Sequence, residues 1–149
     1  MDRNTFLVAA AKAAEIRFRA EAAFAAARDM EAAARNAKQR RNISDQRIAQ
    51  LKASSALRGS APDRERVNAE IARHQFERDE AQNEMTAAEK ITSEYLAIAQ
   101  PLAMQRDSTR AQVETWRREL SAADSANRPS LILASDGGNG SRVGVNYNG

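Results

Sequence analysis

Apolar residues recur along the chain at alternating steps of three and four, the spacing of one face of an amphipathic helix. Between Phe6 and Arg58, twelve of the sixteen positions at this spacing are apolar, and between Val67 and Ala123 twelve of seventeen are. The 42% hydrophobic composition would give about seven in each set. Each half therefore predicts one long helix. We call the positions at this spacing the packing seam, because they are expected to face the other helix. The large side chains of the seam are Phe6, Ile16, Met30, Ile48, Leu51, Val67, Ile71, Met85, Tyr95, Leu102, Val113, Trp116 and Leu120.

The stretch between the two patterns, "LRGSAPDRER", carries the signals of a helix end followed at once by a helix start. Gly59 can adopt the left-handed conformation that closes a helix, and Ser60 can cap the next one. Pro62 suits the first helical turn, and Asp63 is favoured near the positive end of the helix dipole. Such a short link makes the helices antiparallel neighbours. The sequence predicts an all-α helical hairpin within 1–123, with helices at about 4–58 and 63–123 and a corner at 59–62.

Charge patterning favours the same pairing. Residues 35–52 hold six basic side chains and one acidic one, whereas residues 69–86 hold five acidic and two basic ones. Folding at the corner brings these segments together, so that opposite charges flank the seam and help to set the orientation of the helices. The basic patch consists of Arg35, Lys38, Arg40, Arg41 and Arg47.

Two features interrupt the pattern. Pro101 lacks a backbone N–H, which predicts a kink or break in the second helix. The seam also becomes polar at Arg41 and Ser44, near the predicted position of Arg78. This polar layer can either fix the register of the hairpin or be a local weakness.

The predicted core is thin, because eleven of its twenty-four apolar seam residues are alanine. Four large apolar residues lie beside the seam and widen the apolar face, as in helical bundles. We expect self-association or docking on a larger assembly, and the predicted oligomer contacts are Phe24, Ile91, Leu96 and Ile98.

The pattern ends at residue 124, where Gly, Asn, Ser and Pro become frequent. The runs "SLILAS" and "SRVGVNY" flank "DGGNG", which predicts an extended segment or β-hairpin. Two strands alone are marginally stable in water. We therefore expect residues 124–149 to form a flexible tail, or one that becomes ordered by adding strands to a partner.

Few residues have side chains suited to catalysis or metal binding. The chain has no cysteine, and its single histidine, His74, occupies a seam position with no second histidine at metal-ligand spacing. We expect no enzymatic activity, no cofactor and no metal. We also expect neither a signal peptide nor a transmembrane helix, because the apolar runs are too short and are interrupted by charge.

The segment "ALRGSAPDRERVNAEIARHQFERDEAQNEMTAAE" resembles the central corner of the small internal virion proteins, or ejection proteins, of short-tailed bacteriophages. In that family an alanine-rich helix leads through a Gly-Ser corner into a charged helix that begins with Asp. The similarity covers about 46–94 and carries over Gly59, Ser60, Asp63 and the flanking seam. Family members commonly have a more apolar end, whereas residues 1–34 here hold five basic and five acidic residues, which argues against direct membrane insertion.

The resemblance implies a non-enzymatic virion protein. It would assemble with its own copies and with portal, core or tail components, and would help to deliver the genome across the host envelope. One alternative is a coiled-coil tail or connector adaptor that docks through its C-terminal strands. Another is weak, non-specific nucleic-acid binding, suggested by the net charge of +3 and the pI near 9.7.

Overall fold

The computed structural model describes residues 1–127, and every regular element in this range is helical. Helix α1 spans Arg3–Lys52, a short 3-10 helix spans Ser55–Arg58, and helix α2 spans Ala61–Ala126. The prediction of an all-helical fold is thus confirmed for these residues. The predicted strands lie in residues 128–149, outside the described range. Residues 124–126, predicted to belong to the tail, continue α2.

Helix α1 begins with a cap formed by Asp2. The backbone N–H of Thr5 donates to Asp2 Oδ1 at 2.9 Å, and the Thr5 hydroxyl donates to Asp2 Oδ2 at 2.7 Å. These hydrogen bonds hold the pKa of the Asp2 carboxyl below its usual value, because they favour the charged form. The heptad pattern did not reveal this cap.

The first helix ends at Lys52, earlier than the predicted boundary at residue 58. Ser54 favours this end, because a serine side chain competes with the helical hydrogen bonds of the backbone. The Ser54 hydroxyl accepts a hydrogen bond from the N–H of Ala56 at 3.2 Å and thereby caps the 3-10 helix. The corner is therefore longer than predicted.

Gly59 does not adopt the predicted left-handed conformation, because its φ is −88° and its ψ is −151°. The Gly59 N–H donates to the carbonyl oxygen of Ala56 at 3.2 Å. At the start of α2, the Ser60 hydroxyl donates to Asp63 Oδ2 at 3.0 Å, and Arg64 N–H donates to the Ser60 carbonyl at 3.0 Å.

Pro101 does not break the second helix, since α2 is continuous from Ala61 to Ala126. Proline removes the hydrogen bond to the carbonyl four residues earlier, here that of Ala97. Both Pro101 and Ala97 are exposed, so water can satisfy this carbonyl. One missing bond in a helix of 66 residues is therefore tolerated.

The described chain divides into two structural units. One contains residues 18–102 and the other contains residues 1–17 with 103–127. Residues 18–102 form a helical hairpin in which α1 and α2 pack in antiparallel fashion around the corner. Every fully buried residue among those described lies in this hairpin.

The best-packed part of the hairpin lies next to the corner. Ile48 and Leu51 of α1 form a buried cluster with Val67 and Ile71 of α2, covered by side chains of the 3-10 helix. Farther from the corner, most buried residues are alanines, namely Ala20, Ala23, Ala27, Ala37, Ala81, Ala88 and Ala99. The core is therefore aliphatic at the corner and made of small residues elsewhere.

Candidate interaction surface

The seam residues predicted for the hairpin lie at different depths. Ile48, Leu51, Val67 and Ile71 are buried, whereas Met30, Met85 and Leu102 are half-buried. Tyr95 retains 36% of its surface exposed, at the edge of the seam. Its neighbours along the seam are small or β-branched, so the aromatic ring is not enclosed.

The large seam residues of the other unit are half-buried: Phe6, Ile16, Val113, Trp116 and Leu120. Among the described residues of this unit, none is fully buried. A larger fraction of each of these side chains is thus exposed than of the four buried residues at the corner.

The basic patch is engaged across the hairpin. Arg40 forms an ion pair and hydrogen bond with Glu84, and Arg47 lies 3.8 Å from a Glu70 carboxylate oxygen. The hydrogen bond from Arg40 lowers the pKa of Glu84 and raises the pKa of Arg40, since it favours both charged forms. Two of the five basic side chains of the patch therefore pair with an acidic side chain of the opposite helix.

The remaining basic side chains of the patch differ in their partners. Arg41 Nη1 donates to Gln82 Oε1 at 2.9 Å, and Arg35 lies 3.9 Å from Glu31 within α1. Lys38 is exposed. A phosphate backbone would have to compete with these partners for most of the patch, which argues against nucleic-acid binding at this position.

The predicted polar layer is present near the middle of the hairpin. Ser44 is buried and Arg41 is half-buried, while Arg78 Nη1 lies 3.8 Å from Asp45 Oδ1 on the opposite helix. These contacts occur only in one antiparallel register, so the layer can help to select it.

His74 lies on the seam side of α2 with 14% of its side chain exposed. Its Nδ1 is 3.2 Å from Glu77 Oε2, and its Nε2 is 3.4 Å from a guanidinium nitrogen of Arg73. The histidine thus has polar neighbours on its own helix. Residues 1–127 contain no group of three or more acidic, histidine or cysteine residues arranged to hold a metal ion.

The four predicted oligomer contacts separate into two pairs. Phe24 and Leu96 are half-buried, whereas Ile91 and Ile98 are 39% and 55% exposed. Tyr95 lies between the two isoleucines on the same face of α2, because the steps of four and three return to one side of a helix. We name these three residues the α2 stripe. The sequence assigned Tyr95 to the seam and therefore did not identify it as part of this surface.

Other large apolar side chains are exposed singly in the hairpin, including Phe18, Ile43 and Phe76. Isolated exposed apolar residues are common on protein surfaces. In the described part of the chain, neither helix contains a segment that is both long and apolar enough to cross a membrane.

Comparison of the chain with protein-family models, curated proteins and solved structures finds no match.

Proposed function

We propose that this chain is a non-enzymatic structural protein of a bacteriophage virion. In this role it is an internal core or ejection component that assembles with its own copies near the portal and helps genome delivery across the host envelope. The proposal combines a geometric observation with the resemblance of the corner sequence to ejection proteins.

The observation that supports assembly is the small core of the hairpin. Alanine supplies most of its buried residues, while Ile91, Tyr95 and Ile98 remain exposed together on one helix. Burial of apolar surface is the main favourable term in folding and association. A long hairpin with little core of its own gains stability when neighbouring helices cover such a surface.

The resemblance to ejection proteins supports a role within the virion. The corner residues Gly59, Ser60 and Asp63 match the pattern of the family, and they lie where one helix ends and the next begins. The engaged basic patch favours a structural role over nucleic-acid binding, because its arginines already contact acidic or amide side chains.

The test is to quantify the chain by mass spectrometry in purified virions before and after genome release is triggered. An ejection component should be present in full particles and strongly depleted in emptied ones, relative to the major capsid protein. Retention in emptied particles would favour a fixed tail or connector component. Absence from full particles would contradict a virion role altogether.

A further inference from the structure

One side of the hairpin can be identified from its ion pairs. Arg47 pairs with Glu70 and Arg40 pairs with Glu84. Arg40 and Arg47 are seven residues apart on α1, so they lie in one row along that helix. Glu70 and Glu84 are two heptads apart on α2 and also share a row. The two rows therefore run along the same side of the hairpin.

Farther from the corner, the same rows lose their charge. On α1 the positions seven and fourteen residues before Arg40 are Ala33 and Ala26. On α2 the positions seven and fourteen residues after Glu84 are Ile91 and Ile98. One side of the hairpin thus carries ion pairs near the corner and an apolar surface beyond them, with small side chains on α1 and large ones on α2.

The division into small and large rows restricts how a second copy can pack on this surface. If two copies are related by a twofold axis parallel to the helices, α2 of each copy lies over α1 of the other. The large side chains of the α2 stripe then meet alanines, and side chains of one helix enter the grooves of its neighbour. A twofold axis perpendicular to the helices, in the plane of contact, would instead stack α2 on α2 and place isoleucine against isoleucine.

The charges of the two arms favour the same arrangement. Residues 18–40 of α1 contain five basic and three acidic side chains, whereas residues 82–102 of α2 contain three acidic and one basic side chain. The arms of this segment therefore have opposite net charge. Packing α2 of one copy over α1 of the other places arms of opposite net charge side by side, whereas packing like arms together would place arms of like net charge side by side.

The geometry points to a homodimer in which this face of one hairpin covers the same face of a second copy. The product is a four-helix bundle with twofold symmetry, centred on the α2 stripe and on Ala26 and Ala33. This inference rests on the proposed function, because it specifies the partner and symmetry of the self-assembly proposed above.

The first experiment measures the mass of the full chain by light scattering over a range of concentrations. The test variant is Ile91→Ser with Ile98→Ser, and the control is Phe18→Ser with Phe76→Ser. The control side chains are 71% and 68% exposed but lie outside the proposed face. We expect the wild type and the control to have twice the 16.3 kDa mass of the chain. On dilution, the dimer of the test variant should dissociate into monomers at a chain concentration at least tenfold higher than the wild-type dimer does.

Circular dichroism of both variants establishes whether they remain helical. A second measurement does not depend on weakening the hairpin. Because the chain has no cysteine, Ala26→Cys and Ile98→Cys can be introduced into separate chains and joined by a short thiol crosslinker. We expect covalent dimers when the two variants are mixed and little product from either variant alone. Efficient crosslinking of Ile98→Cys to itself would overturn the proposed symmetry.

The outcomes separate this inference from the proposed function. If the two Ile→Ser substitutions leave the mass of the oligomer unchanged, the α2 stripe is not the interface. The proposed self-assembly would then still stand. A wild-type chain that remains monomeric at all concentrations would contradict the proposed homodimer. The proposed virion role would still be tested separately, by mass spectrometry of full and emptied particles.

Discussion

Two stretches of the same hairpin share the spacing of the seam but bury different side chains. Next to the corner, Ile48 and Leu51 pack against Val67 and Ile71 as a buried aliphatic cluster. In residues 18–40 and 82–102, the buried seam consists of alanines together with Thr92. The heptad spacing is equally regular in both stretches, so periodicity alone does not determine how much apolar surface a helix pair removes from water.

The difference explains where large side chains remain exposed. Alanine allows two helices to approach closely, but each residue buries little area, and the stabilisation is proportional to the apolar area buried. In the alanine stretch the large seam residues Met30, Met85 and Leu102 are only half-buried. Ile91 and Ile98 lie on the flank, where the partner helix does not cover them. The corner stretch is stabilised by its own pairing, whereas the alanine stretch presents a surface suited to further association.

The largest expected effect comes from the aliphatic cluster. Ile48→Ala removes a side chain that is 5% exposed and leaves a cavity between the helices. We expect a loss of about 2–4 kcal/mol in the free energy of unfolding. The measurement is urea denaturation at one fixed chain concentration, since association also contributes to apparent stability.

Ile43→Ala is the matched control for this substitution, because Ile43 lies on the same helix and is 64% exposed. Its effect should stay within about 0.5 kcal/mol. Similar losses in the two variants would show that the corner cluster is not a distinct core.

A smaller effect is expected in the alanine stretch from adding volume. Ala99 is completely buried, and Ala99→Leu forces the helices apart or the new side chain into a strained rotamer. We expect a loss of about 1–3 kcal/mol. Ala97→Leu, at an exposed position on the same helix, should have little effect. If Ala99→Leu instead stabilised the chain, the helices of this stretch would not be in close contact.

Much of the fold could be predicted from the sequence, because the packing contacts of a long helical hairpin repeat at a regular spacing along each helix. The steps of three and four placed Ile48, Leu51, Val67 and Ile71 on the side of each helix that is buried. The charges of residues 35–52 and 69–86 indicated the antiparallel pairing, and the observed pairs Arg40–Glu84 and Arg47–Glu70 join those segments.

The remaining features depend on local geometry that a repeat does not encode. The end of α1 is determined by a hydrogen bond between Ser54 and the backbone of Ala56, and serine is compatible with both a helix and a turn. Tyr95 remains 36% exposed although it occupies a seam position between Thr92 and Ala99. Heptad position alone therefore could not separate Tyr95 from the buried seam.

The ion pairs beside the seam give a pH-dependent prediction. The pKa of Glu84 lies below its usual value because Arg40 donates a hydrogen bond to its carboxylate. The pair therefore stabilises the hairpin fully above the usual carboxyl pKa, and this contribution disappears as the pH falls through the lowered pKa. We expect the stability difference between wild type and Glu84→Gln to shrink on acidification. Denaturation of both proteins between neutral pH and pH about 3 measures this difference.

Arg40→Gln provides the control for this titration. When Arg40 is absent, Glu84→Gln should have an effect that changes much less with pH. An unchanged pH dependence in the Arg40→Gln background would assign the effect to another basic neighbour of Glu84. Both side chains are exposed, so the expected coupling is small and should weaken further in high salt.

The smallest expected effect is at the corner. A Cβ at Gly59 would lie 3.3 Å from the Ala56 carbonyl oxygen and 3.4 Å from Asp63 Oδ2, which is tight but not prohibitive. Because the φ of −88° is accessible to any residue, the reduced entropy of the unfolded chain should largely offset this contact. Gly59→Ala should therefore change the free energy of unfolding by about 0.5 kcal/mol or less. A left-handed glycine would instead cost roughly 1–2 kcal/mol on substitution, so urea denaturation of this one variant distinguishes the observed corner from the one that the sequence predicted.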